Sequence, residues 1–451
     1  MQNRAWTSTI FSAALLLALA PGHLTAQTRE PSTQAIWQQP SSVTPQPTPS
    51  PAQNELPTVY GLQGVLIETL DGRIVTSQSV DQPLNPASAI KLATALVALK
   101  NFGPQHRFTT GFWTNGSFDK ASGQIQGNLY VTGRDPSFHY EHAVTIARDL
   151  NKMGIRSVTG DLVISPGFTM NFSSSPGRSG ELLYDTLDST LRSAQATRSW
   201  IYERTTLGDQ SSLQTLPTVA VMGDIQVGAV AQGARLLITH KSSNLTNILK
   251  VLLCYSNNFM AERIGDSLGG RQSVTRQLIS LGIPSEEVQL ASLSGLGVNR
   301  VTPRAMMKIF RALRTELQKH KLSPADIMPV AGVDPGTLED RFTGPAWQGS
   351  VIAKTGTLIR TDAGASSLVG QMRTAKGETL LFVIFNQRGS VLRFRQNQDY
   401  LVMQVQNSRG GPKPFNYKPV ALTMKLADTQ SVSGSASSEF EPNLKTPVSM
   451  P

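Results

Sequence analysis

Short apolar runs set out the framework of this chain before any chemistry is considered. Residues 64–69 (Gly-Val-Leu-Ile-Glu-Thr) and 73–76 (Arg-Ile-Val-Thr) flank Asp71-Gly72, a dipeptide that supplies positive backbone angles for a tight hairpin. Residues 350–354, 365–372 and 378–385 read as three further strands, with Ala375-Lys376-Gly377 as the turn between the last two. Helical patterns lie between these groups, at residues 90–99 after Pro86, at 245–254, at 259–268 and at 302–317. In the last of these, Thr302 is a candidate cap and Pro303 suits the first helical position. Strands from both ends with helices between them predict an α/β fold of the α+β kind, an antiparallel sheet packed against a helical lobe. The span 116–233 differs in texture: short alternating runs such as Gln126-Gly127-Asn128-Leu129-Tyr130-Val131 are separated by Gly, Asp and Ser, as in a mostly β inserted domain.

The two ends of the chain do not read as core. Arg4, an apolar run from Ile10 to Ala20 and Leu24-Thr25-Ala26 make residues 1–26 an export signal, too short in its apolar part to span a bilayer, which takes roughly 20 residues. Residues 27–56 are crowded with Pro, Ser, Thr and Gln, a linker composition. From about residue 408 the Gly, Pro and Ser content rises and periodicity is lost, so 408–451 is expected to be a disordered tail. That leaves 57–115 and 234–407 for the main domain.

A net charge of +10 and one cysteine, Cys254, change this picture in two ways. The lone cysteine excludes an internal disulfide framework, as suits an exported protein of a bacterial periplasm or cell surface whose stability rests on core burial. The basic surface suits contact with anionic wall polymer or a membrane surface. No basic-aromatic platform, zinc-finger spacing or basic helix argues for nucleic acid. His139 and His142 share a helix face but lack an HExxH pattern or a clustered third ligand, so no metal and no cofactor is expected.

Three motifs carry the chemistry: Ser88-Ala89-Ile90-Lys91 (SxxK), Ser256-Asn257-Asn258 (SxN) and Lys354-Thr355-Gly356-Thr357 (KTG). Together they are the elements of serine acyl-transfer enzymes that act on penicillin and on peptides ending in D-alanine. Ser88 and Lys91 sit three apart where a helix begins, so both face one way. Serine is a poor nucleophile until a base takes its proton, and a lysine with an ordinary pKa near about 10.4 serves when desolvation and a second cation lower it. Lys354 is the candidate second cation. Ser256 is placed to relay a proton to the leaving nitrogen and Asn258 to hold substrate backbone. Lys354, Thr355 and Thr357 are placed to bind a terminal carboxylate, with Gly356 letting an extended peptide approach the strand edge. The backbone N–H groups of Ser88 and Thr357 are candidates for an oxyanion hole. Two decoys share the spelling: Ser117-Phe118-Asp119-Lys120 falls in a Gly-bounded turn, and Ser242-Ser243-Asn244 precedes a helix instead of joining two. Cys254 reads as a small core residue, not a nucleophile.

Over most of residues 60–390 the chain resembles the class C low-molecular-mass penicillin-binding proteins, D-alanyl-D-alanine carboxypeptidases and endopeptidases. The resemblance runs through Pro86-Ala87-Ser88-Ala89-Ile90-Lys91-Leu92, Gly133-Arg134-Asp135-Pro136, Ser256-Asn257-Asn258-Phe259-Met260-Ala261-Glu262, Ser294-Gly295-Leu296, Asn299-Arg300-Val301-Thr302-Pro303, Pro329-Val330-Ala331-Gly332, Gly336-Thr337-Leu338 and Ala353-Lys354-Thr355-Gly356-Thr357-Leu358. It implies a β-lactamase-like transpeptidase domain interrupted by an insertion, with peptidoglycan stem peptides and β-lactams as partners. The chain departs from the family in two places. Ala291-Ser292-Leu293 stands before Ser-Gly-Leu where an acidic residue is usual, and Ser165-Pro166 stands where an aspartate often helps recognise a free amino group of the stem peptide.

The expectation is a serine D,D-peptidase acting through an acyl-enzyme on Ser88. Three alternatives stay open: a serine β-lactamase, a transpeptidase of the same architecture, and a catalytically silent wall-binding protein. The oligomeric state and the balance of carboxypeptidase and endopeptidase action are not legible in the sequence.

Overall fold

The computed structural model describes residues 60–209 and 213–434. The expected signal segment 1–26 and the linker 27–56 lie outside the described residues.

The five strands read from the sequence form one antiparallel sheet in the order Val351–Leu358, Ala365–Arg373, Thr379–Gln387, Leu62–Thr69, Ile74–Gln78. The first hairpin turns at Gly72, whose φ of 94° suits a residue without a side chain. Leu62–Thr69 then pairs with the strand Thr379–Gln387 from the far end of the chain, with Val65 opposite Ile384. On one face of this sheet lies the helical lobe. Its central helix, Lys91–Phe102, is buried from Lys91 to Leu99. It packs against the neighbouring helix Pro303–Lys319, and its small residues Ala93, Ala95 and Ala98 are all fully buried in the same core. That neighbour starts as its sequence predicts: the Thr302 hydroxyl accepts the Ala305 N–H at 2.9 Å, Pro303 occupies the first turn, and Met306, Ile309, Phe310 and Leu313 form the buried stripe. Each such side chain contributes roughly 1.5–3 kcal/mol on burial.

The inserted region builds a six-stranded sheet in the order Ile225–Val227, Leu162–Ile164, Leu129–Gly133, Arg107–Thr114, Arg235–Asn244, Gln430–Ser433. Its first two pairings are parallel and the rest antiparallel. The sheet extends beyond the expected limits 116–233. Arg107–Thr114 and Arg235–Asn244 pair with each other, and their inward residues divide between cores, Phe108 with the helical lobe and Phe112, Leu237 and Ile238 with the insertion.

The segment read as a disordered tail is ordered as far as Gly434. Tyr417 donates to Asp334 Oδ1 at 2.7 Å, Leu422 is buried on the helical lobe, Leu422–Ala427 is a short helix, and Gln430–Ser433 pairs with Arg235–Asn244. A few isolated anchors secure a Gly- and Pro-rich run because the rest of the fold supplies their pockets and a sheet edge. Residues 435–451 lie outside the described residues.

Candidate active site

Ser88 lies in a single 3₁₀ turn, Ala87–Ile90, that runs directly into the helix Lys91–Phe102. In such a turn residues three apart eclipse, and Lys91 Nζ lies 2.9 Å from Ser88 Oγ. The turn is held from below. Ala87 has a φ of 45°, and its N–H donates to Asn85 Oδ1 at 3.0 Å, while Asn85 Nδ2 donates to Asp362 Oδ2 at 2.7 Å and to the Gly297 carbonyl at 3.0 Å. Arg300 secures Asp362 with a bidentate pair. Positive φ at alanine costs about 1–2 kcal/mol, a strain sustained here by buried hydrogen bonds just before the serine.

Two other segments meet Lys91. The helix Leu245–Tyr255 ends at Ser256, which is left-handed with φ 56° and ψ 39°, and the next helix, Asn258–Ser267, is capped by Asn257, whose Oδ1 accepts the Met260 N–H at 2.9 Å. This sharp reversal presents Asn258, and Lys91 Nζ donates to Asn258 Oδ1 at 2.7 Å. Lys91 Nζ also donates to the carbonyl of Ser294. Gly295, with φ 93°, lies so close to Ala87 and Ser88 that a Cβ there would fall 2.2 Å from the Ala87 carbonyl oxygen. The Ser256 hydroxyl makes no hydrogen bond among the described residues.

Lys91 is fully buried, and burial lowers its pKa to about 7 against the opposing charge of Glu262. Desolvation is the larger cause, and the repulsion between Lys91 and Lys354 shows in the lowered pKa of Lys354. A neutral amine has two N–H donors and one lone pair. Around Lys91 stand two pure acceptors, Asn258 Oδ1 and the Ser294 carbonyl, and one hydroxyl, Ser88 Oγ. As an ammonium Lys91 donates to all three, and Ser88 Oγ lies 3.3 Å from the Ser294 carbonyl; once neutral, the amine keeps two donors for the pure acceptors and turns its lone pair to the serine hydroxyl.

Lys354, Thr355, Gly356 and Thr357 lie in Val351–Leu358, the edge strand of the five-stranded sheet. Lys354 is fully buried and donates to the Thr355 carbonyl at 2.7 Å; burial first, and then the Lys91 charge, lower its pKa. Residues 329–331 cover the first part of the strand's outer edge, through Ala353 N–H to the Pro329 carbonyl at 3.2 Å and Ala331 N–H to the Val351 carbonyl at 2.9 Å. Alternation in an antiparallel strand then turns the backbone groups of Thr355 and Thr357 outward as well. Gly356 also answers a packing need within the protein. A Cβ there would lie 2.1 Å from Ser367 Oγ, 2.6 Å from the Pro86 carbonyl and 2.9 Å from Ala87 Cβ, so the glycine lets the strand close onto the turn that carries Ser88.

The family model of the D-Ala-D-Ala carboxypeptidase 3 (S13) family matches residues 52–206 and 210–406. The chain belongs to the S13 family. A D-alanyl-D-alanine carboxypeptidase of Actinomadura sp. (strain R39) is 26% identical over 422 residues, covering 71% of this chain and 77% of the relative. The fold is shared with a penicillin G-acylated predatory endopeptidase from Bdellovibrio bacteriovorus, solved with an immunity protein (21% identity, TM-score 0.67, 82% of this chain and 99% of that one). It is shared too with penicillin-binding protein 4 from Haemophilus influenzae in complex with a β-lactam (20% identity, TM-score 0.58, 77% and 96%).

Sequence reasoning missed several residues around this S13 site. Ser294 acts through its carbonyl, which any residue type supplies, so its side chain gave no signal. Glu262 accepts the Ser294 N–H at 2.8 Å and holds the loop where the usual acidic residue before Ser-Gly-Leu is lacking. Arg395, on the helix Val391–Asn407, donates to Thr357 Oγ1 at 2.8 Å.

The decoys stay apart from the site. Ser117 lies in a short strand, Ser117–Asp119, paired with Gln124–Gln126 and not in a turn, and Ser242 and Ser243 close the strand Arg235–Asn244. Cys254 is buried and its thiol is pushed up to about 12 by burial, which leaves it protonated. Glu141, His142 and Glu203 bring ligand-capable atoms within 4.8 Å of one another. However, His142 Nδ1 accepts the His139 backbone N–H at 3.0 Å, so the ring proton sits on Nε2 and the neutral ring has no lone pair left for an ion.

Proposed function

We propose that this S13 chain is a serine D,D-peptidase that cleaves the D-Ala-D-Ala bond, or a D-alanyl cross-link, of peptidoglycan stem peptides through an acyl-enzyme on Ser88. The observation that carries this reading is a fully buried Lys91 amine 2.9 Å from Ser88 Oγ, whose pKa burial lowers to about 7. Lys91 takes the Ser88 proton as the oxygen attacks the carbonyl of the penultimate D-alanine. The outward N–H of Thr357 and the N–H of Ser88 receive the developing oxyanion, an interaction in which one donor is typically worth about 2.7–4 kcal/mol. Ser256 relays the proton to the leaving nitrogen, Asn258 and Thr355 hold the peptide backbone, and the buried Lys354 supports the Thr355 carbonyl. Water then hydrolyses the ester, with Lys91 again as the base.

β-Lactams acylate the same serine in this reading, and the protein works outside the cytoplasm after loss of residues 1–26. Among the described residues no helix is long and apolar enough to cross a membrane.

The test is the intact mass of residues 27–451 after mixing with benzylpenicillin, beside Ser88→Ala and Ser117→Ala. A persistent single adduct lost only in Ser88→Ala is expected. Penicillin consumed without an adduct would instead identify a β-lactamase, and intact penicillin with no adduct a silent binding protein.

A further inference from the structure

The helix Val391–Asn407 brings a guanidinium to the open end of the Lys354–Thr357 strand. Arg395 is exposed, and among the described residues its guanidinium makes one hydrogen bond, from Nη2 to Thr357 Oγ1 at 2.8 Å. Asp399, one turn further along, is its natural i,i+4 partner. That carboxylate is already engaged by Arg341, whose Nε lies 2.9 Å from Oδ1 and 3.2 Å from Oδ2. Two arginines and one aspartate leave a positive charge at this end of the strand. A guanidinium has five donors in a planar fork that matches a carboxylate bidentately, and a single hydroxyl satisfies only one of them.

The position fixes what such a carboxylate would be. Gly356 lies against Pro86 and Ala87, next to the nucleophile. A peptide whose reacting carbonyl sits at Ser88 Oγ extends one residue further, about 3.8 Å between α-carbons, before it reaches its terminal carboxylate. With that carbonyl on the outward Thr357 N–H, the next group along the peptide falls beside the Thr357 side chain, where Arg395 Nη2 donates to Oγ1 at 2.8 Å.

We propose that Arg395 is a specificity-determining residue which, with Thr357, binds the terminal carboxylate of the leaving residue. The proposal rests on the D,D-peptidase reading of Ser88. A cross-link whose leaving amino acid carries a free carboxylate beside the cleaved bond presents the same group, so Arg395 serves both carboxypeptidase and endopeptidase action. A neutral C-terminal amide offers no charge for it to hold.

The test uses the full chain with Ser88→Ala, so that peptides bind without turnover. The probes are diacetyl-L-Lys-D-Ala-D-Ala and its C-terminal amide, with dissociation constants measured by calorimetry. The acid should bind at least about tenfold more tightly than the amide, the scale of one hydrogen bond to a charged group. Arg395→Met should abolish that preference while leaving amide binding and the melting temperature unchanged, and Arg395→Lys should keep part of it. A preference that survives Arg395→Met, or none in the parent protein, overturns the proposal. If benzylpenicillin still forms its adduct on wild-type Ser88 in that case, the D,D-peptidase reading stands without Arg395. If no adduct forms and neither peptide binds, both fall.

Discussion

Glu262 Oε1 accepts the backbone N–H of Ser294 at 2.8 Å, and the carbonyl of the same serine receives a hydrogen bond from Lys91 Nζ. One carboxylate therefore positions the acceptor that orients the base and, through its charge, holds the base's pKa above the value that burial alone would give.

Glu262→Gln separates these two effects, because the amide oxygen still accepts from Ser294 but the charge is gone. Without a nearby negative charge the ammonium form of Lys91 is less favoured, so its pKa falls below the wild-type value of about 7. The acid limb of the acylation rate should move to lower pH. At pH 6, where only roughly a tenth of wild-type Lys91 is neutral, a pKa lower by about half to one makes acylation about three- to fivefold faster. Stopped-flow acylation by a chromogenic β-lactam from pH 5 to 9 measures this, and an unmoved or alkaline-shifted limb contradicts it.

Lys250 and Asp334 form a fully buried pair at 2.6 Å. Lys250 also donates to the carbonyls of Ala325 and Met328, and Asp334 accepts from the Val330 N–H and from Tyr417. Asp334→Asn leaves the ammonium buried without its counter-charge and should destabilise the protein by about 3–5 kcal/mol. Replacing both residues by apolar ones of similar volume should restore much of that loss. Urea unfolding of the two variants decides the point.

Leu422 is 4% exposed and belongs to the segment past the end of the family match at residue 406. Its truncation in Leu422→Ala should cost at least about 2 kcal/mol if the segment is part of the fold. Ser433→Ala, at an exposed strand position, should stay within about 0.5 kcal/mol. Equal and negligible effects in both variants would return the segment to the tail that its composition suggested.

Local chemistry made much of this protein legible without coordinates. Asp71-Gly72 demands a turn, Thr302-Pro303 starts a helix, and a Ser three residues before a Lys at a helix start must share its face; all of these depend on neighbours in the chain. The five-stranded sheet and the SxxK, SxN and KTG segments followed from such signals. What the tertiary structure decided depends on partners remote in sequence. Lys91 looks like any lysine until it is wrapped in apolar helices, and its pKa is a property of that burial. The Ser294 carbonyl and Arg395 become part of the site only because a loop and a helix remote from Ser88 in sequence are brought to it. Gly356 is explained by the approach of Pro86 and Ala87, not by anything adjacent to it. Residues 408–434 lack periodicity and still order, because the edge of the Arg235–Asn244 strand and the pocket for Leu422 are built by other parts of the chain. A sequence records preferences over a few residues, whereas desolvation, sheet edges and charge partners are set by distances that only the folded chain has.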